Sequence, residues 1–427
     1  MSLVLTNARV IDPEAMTDKI GTVVISDGKV KEVVYGGNPD LGAQSIDCGG
    51  MCLAPGIVDI GVKVCEPGER HKESYRSAGQ AAAAGGVTTI VTRPDTHPAI
   101  DSPEALEFVA RRANAVSLVN VLPMAALTKG RDGREMAEIG FLMDAGAVAF
   151  TDCDNVVRDT KVLSRALSYA RGLGALVISH VQEPILSHAA AATSGAFASL
   201  RGLPAVSPQA ERMGLERDLA LVEMTGARYH ADQITTAAAL PALVRAKEQG
   251  LDVTAGTSIH HLTLTETDVA DYRTFFKVKP PLRAEVDRSA SVAAVRDGTI
   301  DIISSMHTPQ DEESKRLPFE EAASGAVGLE TILSAALGLY HANELDMPTL
   351  FRAMALNPAK RIGLDRGRLA VGAPADLVLF DPDARFVLDR TKLHSRSKNT
   401  PFDDCEMRGR VLRTLVAGET VYEAGNA

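Results

Sequence analysis

The chain has 427 residues, 45% hydrophobic and 23% charged, which is ample apolar material for a core and excludes a disordered chain. A net charge of -10 argues against nucleic acid as a partner, and the lack of Trp, with only 4% aromatics, argues against a sugar- or base-stacking platform. No long apolar run suggests a membrane span or membrane partner, MSLVLTNARVID predicts no signal peptide, and five irregularly spaced cysteines do not make a disulfide framework, so a cytoplasmic location is expected.

The two ends of the chain read as β. Residues 2–11 and 22–34 are rich in Val, Ile, Leu and Thr, with Asp27-Gly28 as a hairpin turn. Residues 376–380 and 411–422 repeat the style, with a turn near Ala417-Gly418. Two such ends are expected to meet in one small sheet domain.

Between them, short apolar runs alternate with Ala-rich stretches of helical period. The strand candidates are 57–64, 87–92, 117–122, 147–151, 176–180, 228–232, 252–256 and 300–305. Helix candidates lie at 74–84, 103–115, 134–144, 160–173, 237–250 and 284–297. About eight strand–helix units over roughly 300 residues predict an α/β fold of the (β/α)8 barrel type. The small-residue-rich segment 188–215 is expected to be a long, mobile excursion over the barrel mouth. Gly85-Gly86 reads as a helix stop rather than a phosphate loop, since no Lys-Ser/Thr follows.

Working residues of such barrels sit at the C-terminal ends of strands. Those ends carry Gly61, Lys63, Cys65, Arg93, Asp95, Asp152, Cys153, Asp154, His180, Gln233 and Met306. Here the sequence resembles the bacterial dihydroorotases of the amidohydrolase superfamily, nearly end to end. The matching segments include Pro55-Gly56-Ile57-Val58-Asp59, Glu66-Pro67-Gly68, His71-Lys72-Glu73, His260-His261-Leu262, Pro280-Pro281-Leu282-Arg283, Asn357-Pro358-Ala359 and Ser395-Arg396-Ser397-Lys398-Asn399-Thr400-Pro401-Phe402. The resemblance implies a zinc-carrying barrel over 55–364, flanked by a β-sandwich domain built from 1–54 and 365–427. It also implies reversible ring closure of carbamoyl-aspartate to dihydroorotate.

The active-site positions depart from that pattern. The family's Asp-x-His-x-His-x-Arg reads Asp59-x-Gly61-x-Lys63-x-Cys65, and its metal-bridging position on strand four falls on Cys153. The strand-five histidine survives as His180, while the strand-six histidine falls on Gln233. The strand-eight Asp-His-Ala-Pro-His reads Met306-His307-Thr308-Pro309-Gln310, and the substrate-binding asparagines fall on Asp95 and Lys279. Catalytic zinc needs about three good ligands. Only Cys153 and His180 remain as candidates, so no metal or other cofactor is expected. Met306 cannot shuttle a proton, and losing such acid–base help alone costs about 10²–10⁴-fold in rate.

The expected function is therefore that of a non-catalytic dihydroorotase-like protein of pyrimidine biosynthesis. By the family resemblance it partners aspartate carbamoyltransferase as a scaffold, and a homo-oligomer is expected. The alternative is an active cyclic-amide hydrolase of the dihydroorotase, hydantoinase or allantoinase type, rewired around Lys63, Cys153, Asp152 and His180. A third reading is a sensor binding a pyrimidine precursor through Lys63, Lys279 and Arg93. Lys63 is expected to pair with Asp152 or Asp95. His71, His97 and His307 read as polar loop residues, His260 and His261 as structural or mouth-lining, and Cys48 and Cys52 as core.

Overall fold

The computed structural model describes residues 2–36 and 44–425. From the N-terminus the strands are β1 Ser2–Asp12, β2 Thr17–Ser26, β3 Lys29–Tyr35, β4 Gln44–Asp47, β5 Cys52–Pro55, β6 Ile57–Val62, β7 Val87–Thr92, β8 Asn120–Pro123 and β9 Leu176–His180. There follow β10 Ala192–Thr193, β11 Ala205–Val206, β12 Arg228–Asp232, β13 Val253–Ser258, β14 Ile302–Ser304, β15 Leu377–Val387, β16 Glu406–Val416 and β17 Glu419–Glu423.

The chain ends meet as expected. β15 pairs antiparallel with β5, Leu377 opposite Pro55, which joins the C-terminal strands to β1, β2 and β3. Both predicted turns hold, with Ser26 facing Lys29 across Asp27-Gly28 and Val416 facing Glu419 across Ala417-Gly418. The hydrogen bonding runs through eight strands as one continuous sheet. Leu5, Val10, Val23, Ile25, Leu53, Leu377 and Leu415 from across this sheet share one apolar core.

The middle of the chain supplies parallel strands. β6, β7 and β8 form one parallel set and β9, β12, β13 and β14 another. β6 and β7 are buried along their whole length, as strands covered on both faces must be. The candidate strand 147–151 is reduced to Phe150, which bridges in parallel to Ala125 on one side and Val177 on the other. It thereby links the two sets. At the far side, the Lys63 N–H donates to the His307 carbonyl at 2.9 Å, so the chain leaving β14 lies against the chain leaving β6.

Local signals explain the helices between. Helix Tyr75–Ala84 starts at the cap Ser74, helix Pro103–Val116 has Ser102 as cap and proline in its first turn, and helix Thr160–Leu173 runs from Asp159 to a left-handed Gly174. The candidate 134–144 shrinks to Ile139–Asp144, since Gly133 and the stretch after it turn before a helix can start. Segment 188–215 is not a bare excursion. It holds the parallel pair β10–β11, helix Ala196–Arg201 and the start of helix Gln209–Thr225. Among the described residues no helix is long and apolar enough to cross a membrane.

Candidate functional site

The strand ends converge at one end of the parallel strands. Cys153, Gln233 and Met306, each just beyond such an end, have φ of +56°, +55° and +45°. This is a left-handed conformation that costs non-glycine residues free energy and clusters at functional sites.

Gly61 and Met306 share one space. A Cβ placed on Gly61 would stand 2.5 Å from the Met306 sulfur and 3.0 Å from the Ser304 hydroxyl oxygen. Met306 is buried, with its thioether filling the volume that a side chain at 61 would need.

Beside it lies a charged cluster. The Lys63 Nζ is 3.2 Å from an Asp95 carboxylate oxygen, and the Arg93 guanidinium donates to the same oxygen at 3.1 Å. Burial opposes the Lys63 charge, but Asp95 outweighs it and leaves the ammonium above its ordinary pKa. Of the two partners expected for Lys63, the structure selects Asp95. Asp152 is occupied elsewhere, accepting from the Leu127 and Thr128 backbone N–H groups at 3.0 Å each and from the Thr128 hydroxyl. Arg93 Nε, Asp95 Oδ1, Asp59 Oδ2 and His180 Nε2 have no protein hydrogen-bond partner.

Across the mouth, the Lys279 Nζ donates to the Asp154 backbone carbonyl at 3.1 Å and lies 3.4 Å from its carboxylate, which Arg131 meets at 3.2 Å. Burial works against the Asp154 charge, yet Lys279, Arg93 and Arg131 hold its carboxyl far below the usual range. This bar separates two spaces. The inner chamber, about 50 Å3, is lined by Arg93, His180, Asp232, Gln233, Lys279 and Met306. The outer vestibule, about 760 Å3, is lined by Arg131, Asp154, His180, Gln182, Lys277 and Lys279 among others. Small-molecule sites usually measure about 300–1,000 Å3, so the inner chamber has room for a few waters and no ring.

Other expected site residues stand apart. Cys65 is buried, its thiol pushed up to about 12 by burial. Gln310 faces away, its amide donating to the Ser324 carbonyl at 2.9 Å. His307 is not a loop residue. It is fully buried, 3.3 Å from Glu73, and its Nδ1 accepts from the Gly328 N–H at 3.2 Å. His71 and His97 are exposed, as expected. His261 is structural, tied to Ser258 at 2.7 Å and to the Pro280 carbonyl at 3.1 Å. Cys48 and Cys52 are buried in the core.

Comparison with known proteins places this geometry. The family description "Dihydro-orotase-like" matches residues 50–239, and "Amidohydrolase family" matches residues 313–422. A dihydroorotase of Geobacter sp. (strain M21) is 38% identical over 425 residues, covering 100% of both chains. A dihydroorotase of Anaeromyxobacter dehalogenans (strain 2CP-C) is 40% identical over 427 residues, covering 100% of this chain and 99% of its own. The chain belongs to the dihydroorotase family. Its fold matches that of an L-hydantoinase (dihydropyrimidinase) from Arthrobacter aurescens, with TM-score 0.90, 23% identity and coverage of 99% of this chain and 96% of the other. A dihydropyrimidinase from Brevibacillus agri NCHU1002 gives TM-score 0.86 at 22% identity, covering 99% and 95%.

The zinc that the family resemblance implies does not fit the donors of this dihydroorotase-family chain. Among the described residues, no group of three or more His, Cys, Asp or Glu side chains is placed to hold a metal ion. His180 is buried with its ring pushed down to about 3 by burial and by Lys279, so it is neutral and available. Cys153 is a thiol, pushed up to about 12 by burial and Asp95, and not a thiolate. Gly61 offers nothing, Gln233 turns its amide nitrogen to the Lys279 carbonyl at 3.2 Å, and Lys63 adds positive charge.

Asp232 and Arg131 escaped the sequence reading as individual site residues. Asp232 lines the inner chamber with its carboxyl pushed up to about 6 by burial, which Arg93 opposes. Its place as the last residue of β12 was the available signal.

Proposed function

We propose that this member of the dihydroorotase family is non-catalytic and serves as a protein scaffold in pyrimidine biosynthesis. The carrying observation is the mutual exclusion of Gly61 and Met306, where the Met306 sulfur stands 2.5 Å from a Cβ at position 61. A ligand at 61 and a proton carrier at 306 are thus both missing, and the volume between them is filled. The roughly 50 Å3 chamber also leaves the ring of a substrate no place beside Gln233 and Met306. In this reading the parallel strands close as a (β/α)8 barrel over 55–364, with 1–54 and 365–427 forming the accompanying domain. Without a reaction, the fold acts through its surface. Aspartate carbamoyltransferase is the partner, on the strength of the family resemblance, and the chain self-associates as a homo-oligomer.

The competing reading is a cyclic-amide hydrolase using Lys63, Cys153, Asp152 and His180. It has less support, since Lys63 is tied to Asp95, Asp152 to the 127–128 backbone, and the Cys153 thiol is protonated.

The test uses the purified full chain. Metal analysis is expected to give far less than one zinc per chain, and carbamoyl-aspartate to give no dihydroorotate with or without added zinc. Mixed with the aspartate carbamoyltransferase of its own organism, the chain is expected to co-elute in size-exclusion chromatography with light scattering. Stoichiometric zinc with turnover would overturn the non-catalytic reading, and separate elution the scaffold role.

A further inference from the structure

A second cavity, of about 580 Å3, lies away from the mouth chamber, between residues 310–315 and 390–399. It shares Phe275, Glu312, Lys315 and Arg390 with an adjoining groove of about 460 Å3. Two cations approach the Phe275 ring, with the Arg273 and Arg390 guanidinium carbons 5.2 and 5.1 Å from its centre. These two arginines share a single carboxylate, that of Asp403, at 2.7 and 3.3 Å.

Three more cations line the cavity, and among the described residues none has a carboxylate within ion-pair reach. The Lys315 Nζ, on a residue only 4% exposed, donates to the carbonyls of Thr274, Lys277 and Ala323 at 3.0, 3.4 and 2.7 Å. Lys398 donates to the carbonyls of Leu393 and Ser395 at 2.5 and 2.7 Å, and Arg396 to the Arg70 carbonyl at 2.6 Å. On the acidic side, Asp311 is engaged by His71 at 3.3 Å and Glu312 by Arg316 at 2.9 Å, which leaves Glu313. Arg396 and Lys398 thus stand without a carboxylate partner among the described residues, on a chain whose net charge is -10. Burial, with Lys277, pushes the Lys315 ammonium down to about 7, so the standing cations of the lining are Arg390, Arg396 and Lys398.

We infer that this cavity binds an organic phosphate, the phosphate held by Arg390, Arg396 and Lys398 and the organic part lying against Phe275. Guanidinium forks match phosphate oxygens two at a time, and several converging cations favour a multiply charged anion over a single carboxylate. The volume suits a nucleotide-sized molecule, which the mouth chamber does not. The site shares no residue with that chamber and stands whether or not the barrel is catalytic.

Calorimetric titration of the full chain with inorganic phosphate, pyrophosphate and adenosine monophosphate tests it. Adenosine monophosphate is expected to bind more tightly than phosphate. Lys398→Gln and Arg396→Gln should each weaken all three by about tenfold, the loss of one charge-assisted contact. Phe275→Leu should erase the advantage of adenosine monophosphate and spare phosphate. Lys279→Gln, in the vestibule, should change nothing, and thermal melts of each variant confirm that it is folded. No heat and no thermal shift at millimolar concentration of any probe overturns the inference. So does binding lost in Lys279→Gln but kept in folded Lys398→Gln, or adenosine monophosphate binding no better than phosphate.

Discussion

Lys63 and Arg93 both reach Asp95 Oδ2, at 3.2 and 3.1 Å, so one buried carboxylate is shared by two cations among the strand ends. Removing the shared acid strands both cations, whereas removing one cation leaves the acid a partner. Asp95→Asn is therefore expected to cost about 3 kcal/mol or more, and Lys63→Met about 1 kcal/mol. Urea unfolding of the two variants checks the order. A larger loss for Lys63→Met would show that the acid is not the hub.

Gly61 and Met306 should be coupled. Gly61→Ala pushes a methyl against the Met306 sulfur, 2.5 Å from the new Cβ, at a cost of about 1 kcal/mol because a thioether can shift. Met306→Ala opens a void at a cost of about 2 kcal/mol. In the double variant the new methyl enters that void, so the combined loss should fall short of the sum. Strict additivity in a double-mutant cycle would show that the two positions do not share space.

Glu73 anchors the 395–397 stretch to the strand ends. Its carboxylate accepts from Ser395 Oγ and Ser77 Oγ and from the Arg396 N–H at 3.3 Å, and it faces His307 at 3.3 Å. Burial pushes this carboxyl up, but His307 and the hydroxyls of Ser395 and Ser77 hold it below its ordinary range. Glu73→Ala should destabilise by about 3 kcal/mol, since it leaves several buried donors unpaired. Limited proteolysis should then cut near residue 395 well before it cuts the wild-type chain there.

His230 gives a pH signature. Fully buried, with Nδ1 bonded to Thr254 at 2.8 Å, its ring is pushed down to about 3 by burial, and by Arg361 and Lys247. In the unfolded chain the ring takes a proton near pH 6.5, while the folded chain refuses it down to about 3. The neutral ring thus carries no penalty above 6.5, and stability is lost as pH falls below it. Relative to the wild type, His230→Gln should gain roughly 2 kcal/mol between pH 7 and 5. A difference flat with pH would mean that His230 is protonated in the fold.

Much of this was readable along the chain. Strands 87–92, 176–180 and 228–232 and helix 160–173 sit where the sequence puts them, because runs of buried residues, an Asp cap and a Gly stop are local signals. Strand 147–151 was harder, since Phe150 is held by bridges to neighbours on both sides rather than by a ladder of its own. The missing imidazoles at 61, 63 and 233 were equally plain, for the identity of a residue at a given spacing is a one-dimensional fact. What fills their place is a contact between distant segments, and only the tertiary structure decided it: Met306 in the space of Gly61, Lys63 turned to Asp95 and not Asp152, and His307 buried against Glu73. Spacing along a chain sets which way a side chain starts out, but the partner it finds depends on how separate strand ends pack together.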